Sequence, residues 1–420
     1  MIELGLSRIS RLLEPSSLSW QAIHVAGTNG KGSISSYLSH LLSNGGIRCG
    51  RFTSPHLIDR WDCITIDERV VRESLFRQIE DDVISRNRQL GIGATEFELL
   101  TATAFEIFSH ERVEVGVVEV GVGGRLDATN ILNNVLVSVI TKIGVDHQFL
   151  LGNSITEIAR EKGGILKRGV PCVIDGTNCT EVVHTLKERV NELSLDAVFV
   201  SPDATVKQYP KLWSIFQTLD LEPHQRTNMC CAVNALQLAL SKLRRAVSVE
   251  SLIPHLCDVK WPGRLQNVIL EPLTDRKEPI LLDGAHNPQA TEVLGEYVNR
   301  KLRPVEHDVT WVIAASRGKN LAELFHRLVK SGDQVVITSF GPVEGMPWVN
   351  AADPTELAAC IHSIKGIGEV KVFEVDLVAA INCACKMAKS GPLIVAGSLY
   401  LASDLLRLLR DAQQKKVVQV

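Results

Sequence analysis

The segment I-H-V-A-G-T-N-G-K-G-S, from Ile23 to Ser33, sets three glycines, a lysine and a hydroxyl directly after a short apolar run. Gly27, Gly30 and Gly32 permit a tight turn that brings backbone amides close to a phosphate chain. Lys31 can neutralise the β and γ phosphates, and the Ser33 hydroxyl can hold a magnesium ion. Ile34, Tyr37, Leu38, Leu41 and Leu42 follow at helical spacing over Ser33–Ser43, so the turn is expected to open onto a helix N-terminus. A glycine separates lysine from serine here, where the standard phosphate-loop string has them adjacent. A plain glycine turn from strand to helix is the alternative, and the lysine and hydroxyl together weigh against it.

Other segments place reactive types at the ends of apolar runs. V-V-E-V-G-V-G-G-R-L-D-A-T-N ends a run at Glu119 and enters a turn through Gly121, Gly123 and Gly124. A carboxylate there suits magnesium, which favours oxygen ligands, although a cap or a salt bridge would use it as well. T-K-I-G-V-D-H puts His147 beyond the last apolar position, beside Asp146; a lone histidine is more often structural than a ligand. Glu157, Arg160, Glu161 and Lys162 have the spacing of a solvated, charged helix face, and on pattern alone Lys162 belongs to that face. Later, L-L-D-G-A-H-N-P presents Asp283, His286 and Asn287, with Pro288 suited to the first position of a helix, and a helix cap competes with a functional reading. L-I-V-A-G-S-L-Y leaves Ser398 and Tyr400 at the mouth of another run.

The elements that must position these residues alternate between short β-rich runs and helical patterns. The runs are Ile23–Ala26, Val113–Val120, Val135–Ile143 and Val170–Ile174, then Ile280–Leu282, Val309–Ala314, Gln334–Thr338, Val370–Val375 and Leu393–Ala396. Such alternation predicts parallel sheets covered by helices, with ligands gathered at the carboxyl ends of strands. At 420 residues the chain suits two domains. The Pro-Gly pair within Asp258–Leu265 marks a boundary near residue 260, giving domains 1–260 and 261–420 with a cleft expected between them. Hydrophobic residues make up 45% and charged residues 22%, with a formal net charge of −3, so neither nucleic acid nor a membrane is an expected partner. The N-terminal stretch with Glu3, Arg8, Arg11 and Glu14 is unlike a signal peptide. Ten scattered cysteines read as reduced, mostly buried thiols of a cytosolic protein.

Taken together, the strings resemble the Mur ligase superfamily, in its folylpolyglutamate synthase and dihydrofolate synthase branch. The carrying motifs are A-G-T-N-G-K-G-S at 26–33, T-S-P-H-L at 53–57, T-E-F-E-L-L-T at 95–101, E-V-G-V-G-G-R-L-D-A-T-N at 119–130 and D-H at 146–147. They continue with R-E-K-G-G-I at 160–165, H-Q-R-T-N at 224–228, W-P-G-R-L at 261–265, D-G-A-H-N-P at 283–288 and G-S-L-Y at 397–400, in the family's order along almost the whole chain. The opening I-E-L-G-L-S-R-I, G-K-N at 318–320 and V-E-G-M-P-W at 343–348 are similar to the fungal dihydrofolate synthases within that branch.

The resemblance implies an α/β fold of two domains. The first is an N-terminal P-loop-type ATPase domain with a mainly parallel sheet, and the second is a C-terminal Rossmann-like α/β domain. It implies an ATP-dependent ligase that joins 7,8-dihydropteroate to L-glutamate through an acyl phosphate. By motif, Thr28, Asn29, Gly30, Lys31, Gly32 and Ser33 would hold the phosphates, with Asn228, Arg264 and Asp283 also on ATP. Ser33, Ser54, Glu119 and His147 would ligate magnesium, with two ions expected. Thr95, Glu96, Phe97 and Glu98 with Leu126, Asp127 and Ala128 would form the pterin side, and His286, Ser398 and Tyr400 the glutamate side. Lys162 matches a lysine that relatives carry carbamylated, although Gly163 stands here where many have alanine. Lys31, His147, Lys162 and His286 are the catalytic candidates. A cytoplasmic monomer is expected, with room for a minor mitochondrial pool. The alternatives are a polyglutamating or bifunctional enzyme acting on reduced folates, a peptidoglycan Mur ligase, and a nucleotide-binding module without catalysis.

Overall fold

The computed structural model describes residues 4–14, 18–304 and 308–418; Ile2 and Glu3 of the opening motif lie outside them. The chain forms two compact units. One comprises Met1–His56 and Trp61–Lys260, and the other Leu57–Arg60 and Trp261–Val420. The first part of the chain thus lends a four-residue segment to the second unit and returns, a detour that nothing in the sequence announces.

The first unit is built on an eight-stranded sheet. Its strands are β1 (Gln21–Ala26), β2 (Cys49–Phe52), β3 (Ile64–Ile66), β4 (Arg69–Val70), β5 (Val115–Glu119), β6 (Val135–Ile140), β7 (Cys172–Asp175) and β8 (Ala197–Val200), in the spatial order β4-β3-β2-β5-β1-β6-β7-β8. All pairings are parallel except β2 with β3 and β3 with β4. The central strands are covered on both faces, so β5 and β6 are buried along their whole length and read as unbroken apolar runs. Ile23 and Val25 of β1 join Ile34, Leu38, Leu41 and Leu42 of the Lys31–Asn44 helix in one core with the Pro223–Lys242 helix. Each such side chain contributes about 1.5–3 kcal/mol on burial.

The second unit holds a six-stranded sheet, in the order β13-β12-β11-β14-β10-β9. Its strands are β9 (Gln266–Val268), β10 (Ile280–Leu282), β11 (Thr310–Ile313), β12 (Gln334–Ile337), β13 (Val370–Val372) and β14 (Leu393–Ala396). Only β9, at one edge, runs antiparallel. Among the described residues no helix is long and apolar enough to cross a membrane. All ten cysteines are free; five are buried, three intermediate and two exposed, so burial is less general than expected.

Two boundaries differ from the sequence reading in ways that matter for the site. The helix after the glycine turn starts at Lys31, two residues earlier than expected, which places Lys31 and Ser33 in its first turn. Strand β6 stops at Ile140, and beyond it Thr141 and Lys142 bond the glycine turn.

Candidate functional site

Parallel register brings the ends of four strands of the first unit to one edge. Val25 pairs with Glu119, Ala26 with Ile140 and Phe52 with Val118, so the turns after β1, β2, β5 and β6 leave side by side. Those turns carry Thr28–Ser33, Ser54, Glu119 and the Asp146–His147 pair. This is the edge at which parallel sheets take ligands.

The glycine turn is held from outside. Thr28 and Asn29 donate their amides to Lys142 O at 2.9 and 3.0 Å, and the Thr141 hydroxyl donates to Asn29 O at 2.7 Å. A Cβ at Gly27 would lie 1.8 Å from Thr141 Oγ1, and Gly27 has a φ of +157°, so the backbone approaches Thr141 more closely than any side chain permits. Gly30, left-handed at φ +90°, caps the helix; its Cβ position lies 2.4 Å from Asn228 Oδ1, which puts Asn228 against the turn.

Charges converge beside it. Lys31 Nζ lies 3.5 Å from Glu119 Oε1, with both side chains largely buried. Lys162 is 5% exposed, and its Nζ donates to Gly27 O at 2.7 Å. It does not belong to a solvated helix face. The Ile155–Gly163 helix is amphipathic, and Lys162 falls on its buried side with Ile158 and Ala159. Burial foremost, then the Lys31 charge, lowers the Lys162 pKa to about 7, while Asp146, Asp127 and Glu119 act in the opposite direction. Gly124 lets this approach happen, because a Cβ there would meet the carbonyl oxygens of Glu161 and Lys162 at 2.8 Å.

His147 adopts a left-handed backbone conformation before the Gln148–Leu151 turn, and its amide donates to Asp146 Oδ1 at 2.9 Å. Its Nε2 lies 3.9 Å from Asp146 Oδ2, and the side chain is 38% exposed. Thr95 and Glu98 form a reciprocal capping box at the start of the Glu96–His110 helix. Glu98 Oε2 also accepts from Arg8 Nε at 2.8 Å, whereas the buried Oε1 has no hydrogen-bond partner. Phe97 stacks on Phe52 with ring centroids 6.2 Å apart. Asp127 is buried and accepts from Val122 N, Thr129 N and Thr129 Oγ1, so it braces the glycine-rich turn and caps Ala128–Ile131. Burial raises its carboxyl pKa, against those hydrogen bonds.

A second cluster lies in the second unit, at the carboxyl ends of the parallel neighbours β10 and β14. Asp283 accepts from Leu265 N at 2.7 Å and Ala285 N at 2.8 Å. Burial raises its pKa, and Arg264 acts to lower it. The Cβ position of Gly284 lies 2.4 Å from Arg264 Nη1 and 3.3 Å from Leu399 Cα, so the three motifs at 261–265, 283–288 and 397–400 meet. His286 Nδ1 lies 2.8 Å from Gly284 O. A carbonyl only accepts, so the ring carries its hydrogen on Nδ1, and Nε2 is the acceptor of the neutral form. Asn287 caps the Pro288–Lys301 helix by accepting from Ala290 N. Ser398 Oγ accepts from Tyr400 N at 3.1 Å, and the Tyr400 hydroxyl points to Met346 Sδ at 3.6 Å. Burial raises the Tyr400 pKa to about 12.

Thr141 and Asn178 were not singled out in the sequence. Thr141 sits inside an apolar run that reads as strand, and the one signal for it is a hydroxyl at that run's end.

A family profile described as "Dihydrofolate synthetase, C-terminal domain" matches residues 266–408. The chain is 37% identical over 428 residues to the probable dihydrofolate synthetase of Schizosaccharomyces pombe, covering 97% of this chain and 99% of that protein. It is 37% identical over 422 residues to the dihydrofolate synthetase of Saccharomyces cerevisiae, covering 97% and 98%. The crystal structure of Mycobacterium tuberculosis folylpolyglutamate synthase complexed with ADP and AMPPCP is similar, with a TM-score of 0.79 and 25% identity, over 96% of this chain and 95% of that one.

Proposed function

The chain belongs to the dihydrofolate synthase and folylpolyglutamate synthase family of Mur-like ligases, and we propose that its reaction is the ATP-dependent joining of L-glutamate to 7,8-dihydropteroate. The products are 7,8-dihydrofolate, ADP and phosphate. The observation that carries the site assignment is the convergence of Lys31, Glu119 and Lys162 on the turn after β1.

A carboxylate resists an amine until one of its oxygens becomes a good leaving group. The pteroate carboxylate therefore takes the γ phosphoryl group, ADP leaves, and the glutamate amine displaces phosphate from the acyl phosphate to form the amide. No protein nucleophile is required. The protein brings two anions together against their repulsion, by positioning and charge neutralisation. Thr28–Ser33 and Asn228 take the phosphate side, and Lys31 supplies positive charge. Arg264 and Asp283 are further ATP contacts in this reading.

The donors suit magnesium, since Glu119 offers a buried carboxylate and Ser33 and Ser54 offer hydroxyl oxygens, with His147 completing the set. Bound there, magnesium would add positive charge at the phosphate oxygens. With a pKa lowered to about 7, Lys162 holds a substantial fraction of neutral amine at neutral pH, the form that adds carbon dioxide. A carbamate at Lys162 would supply a carboxylate for a second ion. Thr95–Glu98 and Leu126–Ala128 form the pterin side, with Asp127 and the capping pair acting chiefly as its frame. His286, Ser398 and Tyr400 form the glutamate side. The His286 tautomer suits acceptance of a proton from the incoming ammonium at Nε2. The reading includes a cytoplasmic monomer.

The direct test is ADP release with MgATP, supplied with pterin alone, glutamate alone and both. Release that requires both substrates supports the ligase; release indifferent to them, or none, overturns it.

A further inference from the structure

We propose that Asn178 is a positioning residue for the nucleotide site, acting through the Thr141–Gly144 segment on the phosphate-binding turn. The inference rests on reading Thr28–Ser33 as that turn.

The segment after β6 has two sides. One side grips the turn: Lys142 O accepts from the amides of Thr28 and Asn29, the Thr141 hydroxyl donates to Asn29 O, and Thr28 Oγ1 exchanges hydrogen bonds at 3.0 Å with the amide and carbonyl of Gly144. The same segment runs on to Asp146 and His147. The other side is held by the turn after β7. Asn178 Nδ2 donates to Thr141 O at 3.2 Å and to Asp175 O at 2.9 Å, and Asn178 Oδ1 accepts from Ile143 N at 2.8 Å. Lys142 Nζ donates to Thr177 O.

That second turn is itself braced. Asp175, 2% exposed, accepts from Thr177 N at 2.8 Å and Thr177 Oγ1 at 2.6 Å, and Gly176 N donates to Val200 O at 3.0 Å. Asn178 is 8% exposed, with both amide hydrogens and its oxygen engaged. Spatially, β7 is separated from β1 by β6, so Asn178 influences the glycine turn through the intervening segment. The glycine turn has no side chain at Gly27 to fix it, and its placement is borrowed from Thr141, which Asn178 locates. A backbone cradle is effective only when its amides are preorganised toward the phosphates.

The test compares the full-length protein with N178A, T141V, T141S, the N178A/T141V double variant and K31A, measuring MgATP affinity, KM for ATP and for glutamate, and melting temperature. N178A and T141V are each expected to raise KM for ATP about tenfold or more, since small misplacements of a site carry losses of that order, while KM for glutamate stays within about twofold. T141S, which keeps the hydroxyl, recovers most of the loss. The double variant is no worse in KM for ATP than the worse single, because both changes cut one chain of contacts. Unchanged nucleotide affinity in folded T141V or N178A, or equal losses in T141S and T141V, overturns the inference. If N178A fails to fold, the T141V and T141S pair decides. Wild-type affinity for MgATP in K31A would instead overturn the reading of the turn itself.

Discussion

Lys162 Nζ lies 2.7 Å from the carbonyl oxygen of Gly27, a residue 135 positions earlier in the chain. A buried amine on one helix is thereby anchored to the first residue of the glycine turn, with the Lys31 charge close enough to help lower its pKa to about 7.

On the function proposed above, the neutral form of this amine would add carbon dioxide near neutral pH. In protein equilibrated with 13C-labelled carbon dioxide, a carbamate carbon resonance is expected in the wild type and absent in K162A, whose kcat should fall by roughly 10²-fold or more. A wild-type spectrum without that resonance would remove the modification, and undiminished turnover in K162A would remove Lys162 from the site.

Glu119 pairs with Lys31, Oε1 lying 3.5 Å from Nζ. E119A is expected to lower kcat by about 10³-fold and to raise the magnesium concentration needed for half-maximal rate. The carboxylate is buried against Lys31, so the kcat loss is read per folded molecule, with the melting temperature measured alongside. Normal rates at low magnesium would contradict the assignment.

His24 on β1 bonds Thr129 Oγ1 through Nε2 at 2.9 Å and is fully buried. Burial, with a smaller contribution from the Lys167 charge, lowers its pKa from 6.5 to about 3. Between those values the unfolded chain carries a proton that the native protein lacks. His24 therefore makes stability fall as pH drops from about 6.5 toward 3, at about 1.4 kcal/mol per pH unit, and contributes no slope above that window. Urea unfolding between pH 7 and pH 4 should show a shallower acid loss in H24Q than in the wild type. Parallel curves would be inconsistent with a neutral buried ring.

Asp333 precedes β12, at the opposite end of that strand from the site edge. It is fully buried and takes a two-point ion pair from Arg303 at 2.7 Å, with further bonds from Val309 N, Lys330 N and Trp311 Nε1. D333A should cost about 3–5 kcal/mol, because the guanidinium and three donors lose their partner. Its kcat per folded molecule should match the wild type. A large drop in kcat with intact stability would reverse that division of roles.

The parts of the fold that were legible are those in which composition and burial coincide. Ile280–Leu282 and Leu393–Ala396 are strands with the bounds read from their β-branched and leucine runs. Cys49–Phe52 was missed because Gly50 and Arg51 dilute a four-residue strand, and Gln266–Val268 because polar residues open a strand of three. The glycine turn and its helix followed from local chemistry. The buried state of Lys162 did not, because the glutamates and arginine beside it suggest an exposed face and its burial depends on a turn far away in sequence. Thr141 was hidden for a related reason: its run looks like strand until the turn it bonds is known. The Leu57–Arg60 excursion into the second unit is likewise a tertiary fact without a local signature.

The most direct test of the account follows ADP release and product mass with MgATP and L-glutamate, comparing 7,8-dihydropteroate with tetrahydrofolate as acceptor. The account predicts one glutamate added to dihydropteroate and no extension of tetrahydrofolate. Extension of tetrahydrofolate without reaction of dihydropteroate would contradict it and assign a polyglutamating enzyme, and absence of product from both would leave a nucleotide-binding protein without ligase activity.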